Sequence, residues 1–127
     1  MHGITYVRIT RDGSGGSRSV DEDVALDERP FAAGVPPLLV SEPIAAASAT
    51  FVEFPGGIRD TDPHPTPRRQ LGVVLGGVAE TRTTDGEVRR FEAGSVVLLD
   101  DIDGAGHVTT VIEHPFRIMF VALADVT

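Results

Sequence analysis

The feature that most constrains the fold is a succession of short β-branched and apolar segments, each closed by a glycine or proline turn. ATFVEF ends at Pro55-Gly56-Gly57, SVVLL follows Glu92-Ala93-Gly94, and Asp85-Gly86 is a two-residue hairpin signal. About eight to ten such segments recur roughly every six to twelve residues, and no segment shows a 3.6-residue apolar period. This pattern predicts an all-β sandwich or barrel.

Length and composition narrow the class of protein. The chain has 127 residues, which favours a single domain with its own core. It contains no cysteine, which excludes disulfides and thiolate metal ligands. The 19 acidic and 11 basic residues give a net charge of −8. A chain with this charge would repel the phosphate groups of a nucleic-acid backbone. We therefore expect no nucleic-acid partner.

The sequence predicts neither a membrane-spanning segment nor a secretory signal. No run approaches the roughly 18 apolar residues of a span, and MHGITYVRIT lacks the basic start and apolar core of a secretory signal. We expect a cytoplasmic protein without a membrane partner. Arginine is the only basic residue type besides histidine, and alanine, glycine and valine are abundant, as a GC-rich bacterial genome would produce.

The first part of the chain is less regular than the rest. Residues 3–10 are predicted to form a strand, and the acidic residues 18–28 a solvated edge strand or loop. Residues 43–48 (PIAAAS) are the one stretch with helical character, barely two turns long. We expect residues 1–45 to form strands and loops that pack on a barrel core of residues 46–127, within one structural domain.

Two more turns are predicted in the second half. Gly76-Gly77 separates the predicted strands 70–75 and 78–84. Glu113-His114-Pro115 precedes the last segment, 116–123, in which apolar residues alternate with others. Since alternate residues of a strand share a face, this last strand is expected to place one face in the core.

The segment HPTPRRQ carries the first group of candidate site residues. Its alternating prolines favour an extended backbone, which places His64, Thr66, Arg68 and Gln70 on one face. Such a polar row is costly to bury without partners. It is therefore expected to line a wet pocket at a barrel rim, and the alternative is an ordinary polar edge that faces outward.

His107, behind Gly104-Ala105-Gly106, is the second candidate imidazole. A histidine can act as an acid or base near neutral pH, and the alternative is a structural histidine at a barrel mouth. The preceding Asp100, Asp101 and Asp103 lack the spacing of a calcium loop and are interpreted as a solvated turn. His114, before a proline in a tight turn, is expected on the surface.

These residues resemble the two motifs of the cupin superfamily. The first motif is G-x5-H-x-H-x3-4-E-x6-G; His64 takes its first histidine place, Gln70 its glutamate place, and Gly77 follows, while Thr66 replaces the second histidine. The second motif is G-x5-P-x-G-x2-H-x3-N. Its histidine place falls to His107, two residues late, and Gly94 takes its first glycine place.

The resemblance, which covers roughly residues 46–123, implies a single-domain cupin (double-stranded β-helix or jelly-roll barrel) with extra N-terminal strands, and a homodimer. It further implies one divalent metal, Fe, Mn, Ni or Zn, held by His64, Gln70 and His107. A metal-free pocket is equally tenable. There His64 or His107 would be the catalytic acid or base, and the substrate would be bound by Thr66, Arg68 and Gln70.

These expectations favour an enzyme acting on a small organic molecule in accessory or secondary metabolism. The reaction would be an acid–base isomerisation, cyclisation or elimination, or a dioxygenase-type oxygenation if iron binds. The alternative is a non-catalytic ligand-binding or sensor cupin. A third is a structural partner protein, which would not need the polar row. The sequence does not indicate the substrate.

Overall fold

The structure is a computed structural model that describes residues 3–55 and 65–124. This part of the chain is all-β and contains no helix, so none that could cross a membrane. Nine strands follow one another: β1 (Ile4–Arg11), β2 (Ser17–Val24), β3 (Asp27–Arg29), β4 (Leu38–Val40), β5 (Ala46–Phe54), β6 (Gln70–Arg82), β7 (Val88–Phe91), β8 (Val96–Asp100) and β9 (Val108–Leu123).

Seven strands form one mixed sheet. Its order is β2-β1-β8-β6-β9-β5, with β7 also paired to β6. The β1–β8 pair is parallel, and the other pairs are antiparallel. Strands β3 and β4 form a separate two-stranded sheet. The all-β prediction is confirmed, and most of the acidic segment 18–28, expected as a solvated edge strand or loop, lies in β2 at one end of the sheet.

The two turns predicted in the second half are bends inside continuous strands. β6 runs through Gly76-Gly77 and β9 through Glu113-His114-Pro115, and the register between them shifts at these positions. Gly77 has φ 74°, and a Cβ there would lie 2.3 Å from the carbonyl oxygen of Pro115. Because β6 and β9 are irregular at the same level, the two strands pair again beyond the irregular residues, and neither strand ends at its bend.

The stretch with helical character is not helical. The last residues of 43–48 begin β5, in which Ala46 pairs with Leu123 of β9. A helix of two turns is marginal by itself. Pairing of β5 with the second half of β9, from Phe116 to Leu123, therefore decides the conformation.

The sheet curves so that five of its strands contribute to one core. β6 pairs with β8 along its first half and with β7 along its second, so both halves face the same interior. The buried core cluster consists of Ile9, Val74, Ala79, Phe91, Val97, Leu99, Phe116 and Ile118. Two of these, Phe116 and Ile118, lie in β9, where Arg117 points outward. The alternation predicted for the last strand is confirmed.

Candidate functional site

A buried carboxylate joins two of the candidate residues. Asp101 is fully buried, and Thr66 and His107 are 3% and 5% exposed. Thr66 Oγ1 donates to Asp101 Oδ1 at 2.6 Å, and His107 Nδ1 lies 2.5 Å from Asp101 Oδ2. An ionised carboxylate only accepts hydrogen bonds, so Nδ1 is the donor in this contact. Asp101 therefore orients the ring of His107 through Nδ1.

The alternation of β8 explains why Asp101 is buried. Val97 and Leu99 point into the core, and the same alternation continues to Asp101, just beyond the end of the strand. The interpretation of Asp101 as part of a solvated turn is therefore wrong. The sequence already contained the relevant pattern. Val97, Leu99 and Asp101 are alternate residues, so a strand that continues past Leu99 places Asp101 on the same face as the two apolar side chains.

The neighbouring Asp100 points outward into an ion-pair cluster. It accepts hydrogen bonds from Arg8 Nε at 3.0 Å and Arg8 Nη2 at 2.6 Å, and Arg69 Nε lies 3.3 Å away. The hydrogen bond to Asp100 raises the pKa of the Arg8 guanidinium. With Asp100 held on the outer face by β1, Asp101 is directed into the interior.

The loop between Asp101 and His107 is held by the turn that joins β1 and β2. Ser17 Oγ donates to the carbonyl oxygen of Gly106 at 2.5 Å and accepts from the backbone N–H of Thr84 at 3.1 Å. The N–H of Ala105 donates to the carbonyl oxygen of Gly15 at 3.0 Å. The glycine-rich turn before β2, together with Ser17 at the start of that strand, thus positions the candidate site.

His107 also lines a cavity of about 40 Å³ in the core. The other lining residues are mostly apolar: Phe54, Val74, Ala79, Thr81, Phe91, Val97, Leu99, Thr109, Phe116, Ile118 and Phe120. The hydroxyl of Thr81 is buried, with no hydrogen-bond partner among the described residues. A water needs about 10–15 Å³ of such volume, so the cavity has room for a few waters or a small polar group.

The remaining candidates are not gathered around His107. Arg68 is exposed at a bend, which interrupts the extended geometry expected from the prolines and separates Arg68 from the buried Thr66. Gln70, half-buried at the start of β6, shares the interior face with Val74 but is not among the described residues that line the cavity. His64 lies outside the described residues, and His114 is exposed as expected.

The described residues contain no cluster of candidate metal ligands. Within residues 3–55 and 65–124, no three His, Cys, Asp or Glu side chains converge. Of the expected ligands, His107 lines the cavity and Gln70 does not. Comparison with known proteins finds neither a protein-family model nor a curated protein that matches this chain.

Proposed function

We propose that this chain is a small-molecule enzyme in which His107 transfers a proton. The observation that carries the proposal is the fully buried Asp101, which holds His107 Nδ1 at 2.5 Å at the edge of an internal cavity. A buried carboxylate is costly unless its hydrogen bonds are satisfied. A carboxylate bonded to Nδ1 is also the arrangement that orients a histidine base in hydrolytic triads.

The proton moves between carbon or oxygen atoms of the substrate by way of His107 Nε2. In the resting state Nδ1–H donates to Asp101, and Nε2 is the basic nitrogen. When Nε2 takes a proton, the imidazolium is stabilised by the adjacent carboxylate, and Thr66 keeps that carboxylate in place. Return of the proton to another substrate atom completes an isomerisation, cyclisation or elimination without a change of redox state.

The cavity lining supports a largely apolar reacting group with one polar atom. Aromatic and aliphatic side chains form most of the wall, and His107, Thr81 and Thr109 are its polar members. The hydroxyl of Thr81, which has no hydrogen-bond partner in the part of the chain that the structure describes, can donate to a carbonyl or enolate oxygen. The volume of about 40 Å³ admits the reacting end of a substrate and not a whole drug-sized molecule, which needs about 300 Å³ or more.

The proposal extends to a cupin-type barrel. The all-β fold supports it, as do the positive φ angles of the motif glycines Gly77 (74°) and Gly94 (93°), which suit glycine at bends. A histidine that donates from Nδ1 to a carboxylate is well arranged to bind metal through Nε2. The described residues supply one such imidazole and no complete ligand set, so the proposed reaction includes no step through a metal.

A second candidate is a non-catalytic ligand-binding or sensor cupin. The observation that favours it is the small size and mostly apolar lining of the cavity around His107. In that case Asp101 and His107 would fix the ligand's polar atom without transferring a proton. The two functions differ in one measurable outcome, which is the exchange of a substrate hydrogen with solvent.

The test is hydrogen–deuterium exchange into a panel of small enolisable compounds, 2-oxo acids and 1,3-dicarbonyls, followed by NMR in D₂O. Proton transfer predicts catalysed exchange that falls at least about 100-fold in His107→Gln, the scale of general-base catalysis. The matched control is His114→Gln, an exposed histidine of β9, which should exchange as the wild type does. Binding without exchange supports the sensor, and exchange unchanged in His107→Gln refutes the assignment of His107.

A second measurement needs no substrate. Long-range ¹H–¹⁵N NMR distinguishes the two neutral tautomers of a histidine ring. For His107 at neutral pH we expect the proton on Nδ1, and its movement to Nε2 in Asp101→Asn, because the new amide can donate to Nδ1. A ring protonated on Nε2 in the wild-type protein would contradict the proposed role of Asp101.

A further inference from the structure

The polar residues of the cavity lie together on one part of its wall. On β9 and the residue before it, Thr109 and His107 are alternate residues that both line the cavity. On β6, Thr81 also lines the cavity and pairs directly with Thr109 in the antiparallel register. Opposite side chains in such a pair have Cβ atoms about 4.5–5.5 Å apart, and a diagonal neighbour lies within about 8 Å. The two hydroxyls and the imidazole are therefore close enough to contact one small ligand.

The hydroxyl of Thr81 has no structural partner in the part of the chain that the structure describes. Thr81 is 6% exposed, and its Oγ1 makes no hydrogen bond to any described residue. The next inward-facing threonine of the same chain segment is different, because Thr83 Oγ1 donates to Asp85 Oδ1 at 2.6 Å. A buried hydroxyl without a partner destabilises a fold. We therefore expect the acceptor for Thr81 to be a molecule held in the cavity.

The charge of the cavity wall restricts what that molecule can be. Among the described residues that line the cavity, His107 is the one ionisable group, and no arginine contributes. The imidazolium of His107 is already balanced by the carboxylate of Asp101, which contacts its Nδ1. A ligand carboxylate would therefore be buried without a cation of its own, which is costly. An uncharged carbonyl oxygen needs hydrogen-bond donors instead, and the threonine hydroxyls can supply them.

We propose that the substrate is a small, uncharged, enolisable carbonyl compound, and that Thr81, with Thr109 beside it, donates a hydrogen bond to the carbonyl oxygen. When His107 removes a proton from the α-carbon, the electron pair of the C–H bond forms the C=C bond of the enolate, and the π electrons of the C=O bond move to the oxygen. The hydroxyl of Thr81 stabilises this negative oxygen more than the neutral one, as donors of an oxyanion hole do. Return of the proton to the enolate completes the step without a change of redox state. This inference rests on the proposed function, since it names the substrate class for the same site.

The first test compares pyruvamide with pyruvate. The two compounds have the same enolisable methyl ketone and nearly the same size, and they differ in charge. Exchange of the methyl hydrogens with D₂O is followed by NMR, and each rate constant is divided by the rate constant without protein. We expect the enhancement for pyruvamide to exceed that for pyruvate at least about 10-fold, because only pyruvate buries an unpaired charge. Equal enhancement, or a preference for pyruvate, would overturn the assignment to uncharged compounds.

The second test removes the hydroxyl of Thr81 and keeps the branched shape of the side chain. In Thr81→Val the exchange of pyruvamide should fall about 100-fold, the effect of losing one oxyanion-hole donor. Thr81→Ser keeps a hydroxyl and should stay within about 5-fold of the wild type. The matched control is Thr110→Val, an exposed threonine on the opposite face of β9, which should exchange as the wild type does. Equal rates in Thr81→Val and Thr81→Ser would refute the role of the hydroxyl.

Thermal unfolding distinguishes this role from a structural one. Because Thr81 Oγ1 bonds to no described residue, Thr81→Val should keep the melting temperature of the wild type or raise it. A melting temperature lower by more than about 4 °C would show that the hydroxyl stabilises the fold itself, against the proposal.

Failure of this inference and failure of the proposed function give different results. If exchange is lost in His107→Gln and unchanged in Thr81→Val, the role of Thr81 is refuted and that of His107 is kept. If the wild type exchanges no compound, proton transfer by His107 is refuted, and binding then tests Thr81 separately. Pyruvamide is titrated into the protein, and the methyl signals of Val74 and Ile118, which line the cavity, are followed by NMR. The dissociation constant should rise at least about 5-fold in Thr81→Val, the effect of one hydrogen bond; an unchanged constant, or no binding to the wild type, would overturn the inference.

Discussion

Replacing Asp101 with alanine should lower the free energy of unfolding by about 2–6 kcal/mol, because two buried donors lose the acceptor that they share. Asp101 is fully buried and is the acceptor for both Thr66 Oγ1 and His107 Nδ1. Alanine leaves two buried donors without their acceptor, at about 1–3 kcal/mol each. A domain has only about 5–15 kcal/mol of stability in total, so the loss is a large fraction.

Asp101→Asn separates hydrogen bonding from charge at the same position. The amide keeps the shape of the carboxylate and one acceptor oxygen for Thr66, while its NH₂ group faces His107 Nδ1. The histidine can satisfy it by moving its own proton to Nε2. We therefore expect a loss of about 1–2 kcal/mol, the scale of one altered hydrogen bond. The control is Asp103→Asn in the same loop, exposed at φ 64°, where asparagine is tolerated.

The chain has no tryptophan and one tyrosine, so unfolding in guanidinium chloride is best followed by far-ultraviolet circular dichroism. Linear extrapolation at pH 7 gives the free energy for each variant. The control should stay within about 0.5 kcal/mol of the wild type, as surface substitutions do. An Asp101→Ala loss below about 1 kcal/mol would show that the carboxylate is not the shared acceptor of two buried donors.

Three further predictions concern other parts of the molecule. Gly77→Ala should cost about 3 kcal/mol or more by thermal unfolding, because its Cβ would lie 2.3 Å from a carbonyl oxygen of β9 at φ 74°; Gly13→Ala, with no described atom within 4 Å, should be nearly neutral. Hydrogen bonds from the backbone N–H groups of its own turn, that of Ser14 first, lower the pKa of Asp12 below 3.8. Its carboxylate therefore stabilises the fold fully above pH 3.8, and the stability difference between the wild type and Asp12→Asn should vanish as pH falls through the lower folded value. Dialysis of the protein against a chelator should leave the catalysed exchange of substrate hydrogen with D₂O unchanged. If that exchange is lost and is restored by one divalent ion per chain, His107 would instead be assigned to a metal centre.

Local pattern was enough to predict the strands and their faces. The β-branched segments of the second half are strands, and Asp85-Gly86 lies in the hairpin that joins β6 and β7. The alternation of Phe116 and Ile118 with Arg117 placed the correct face in the core. These outcomes follow from the chain itself, because a strand puts successive side chains on opposite faces wherever it lies.

The continuity of the long strands was not visible in the sequence. Gly76-Gly77 predicts a turn, yet the strand resumes because β9 is irregular at the same level and continues beside it. Likewise, the alanine-rich start of β5 is a strand because β9 offers it a partner. Both features depend on pairing between segments far apart in the chain.

The sequence alone determined that this chain forms β-strands, which side of the last strand faces the core, and that histidines are its candidate chemical groups. Only the tertiary structure decided that Asp101 is buried between Thr66 and His107, that Arg68 lies apart from them, and that β3 and β4 pair with each other and with no strand of the main sheet among the described residues. The physical reason is that residue type and alternation act along one segment. Neighbours across the fold are set instead by strand pairing, and here the turn at Gly15–Ser17 and the bend at Arg68 set which polar groups meet.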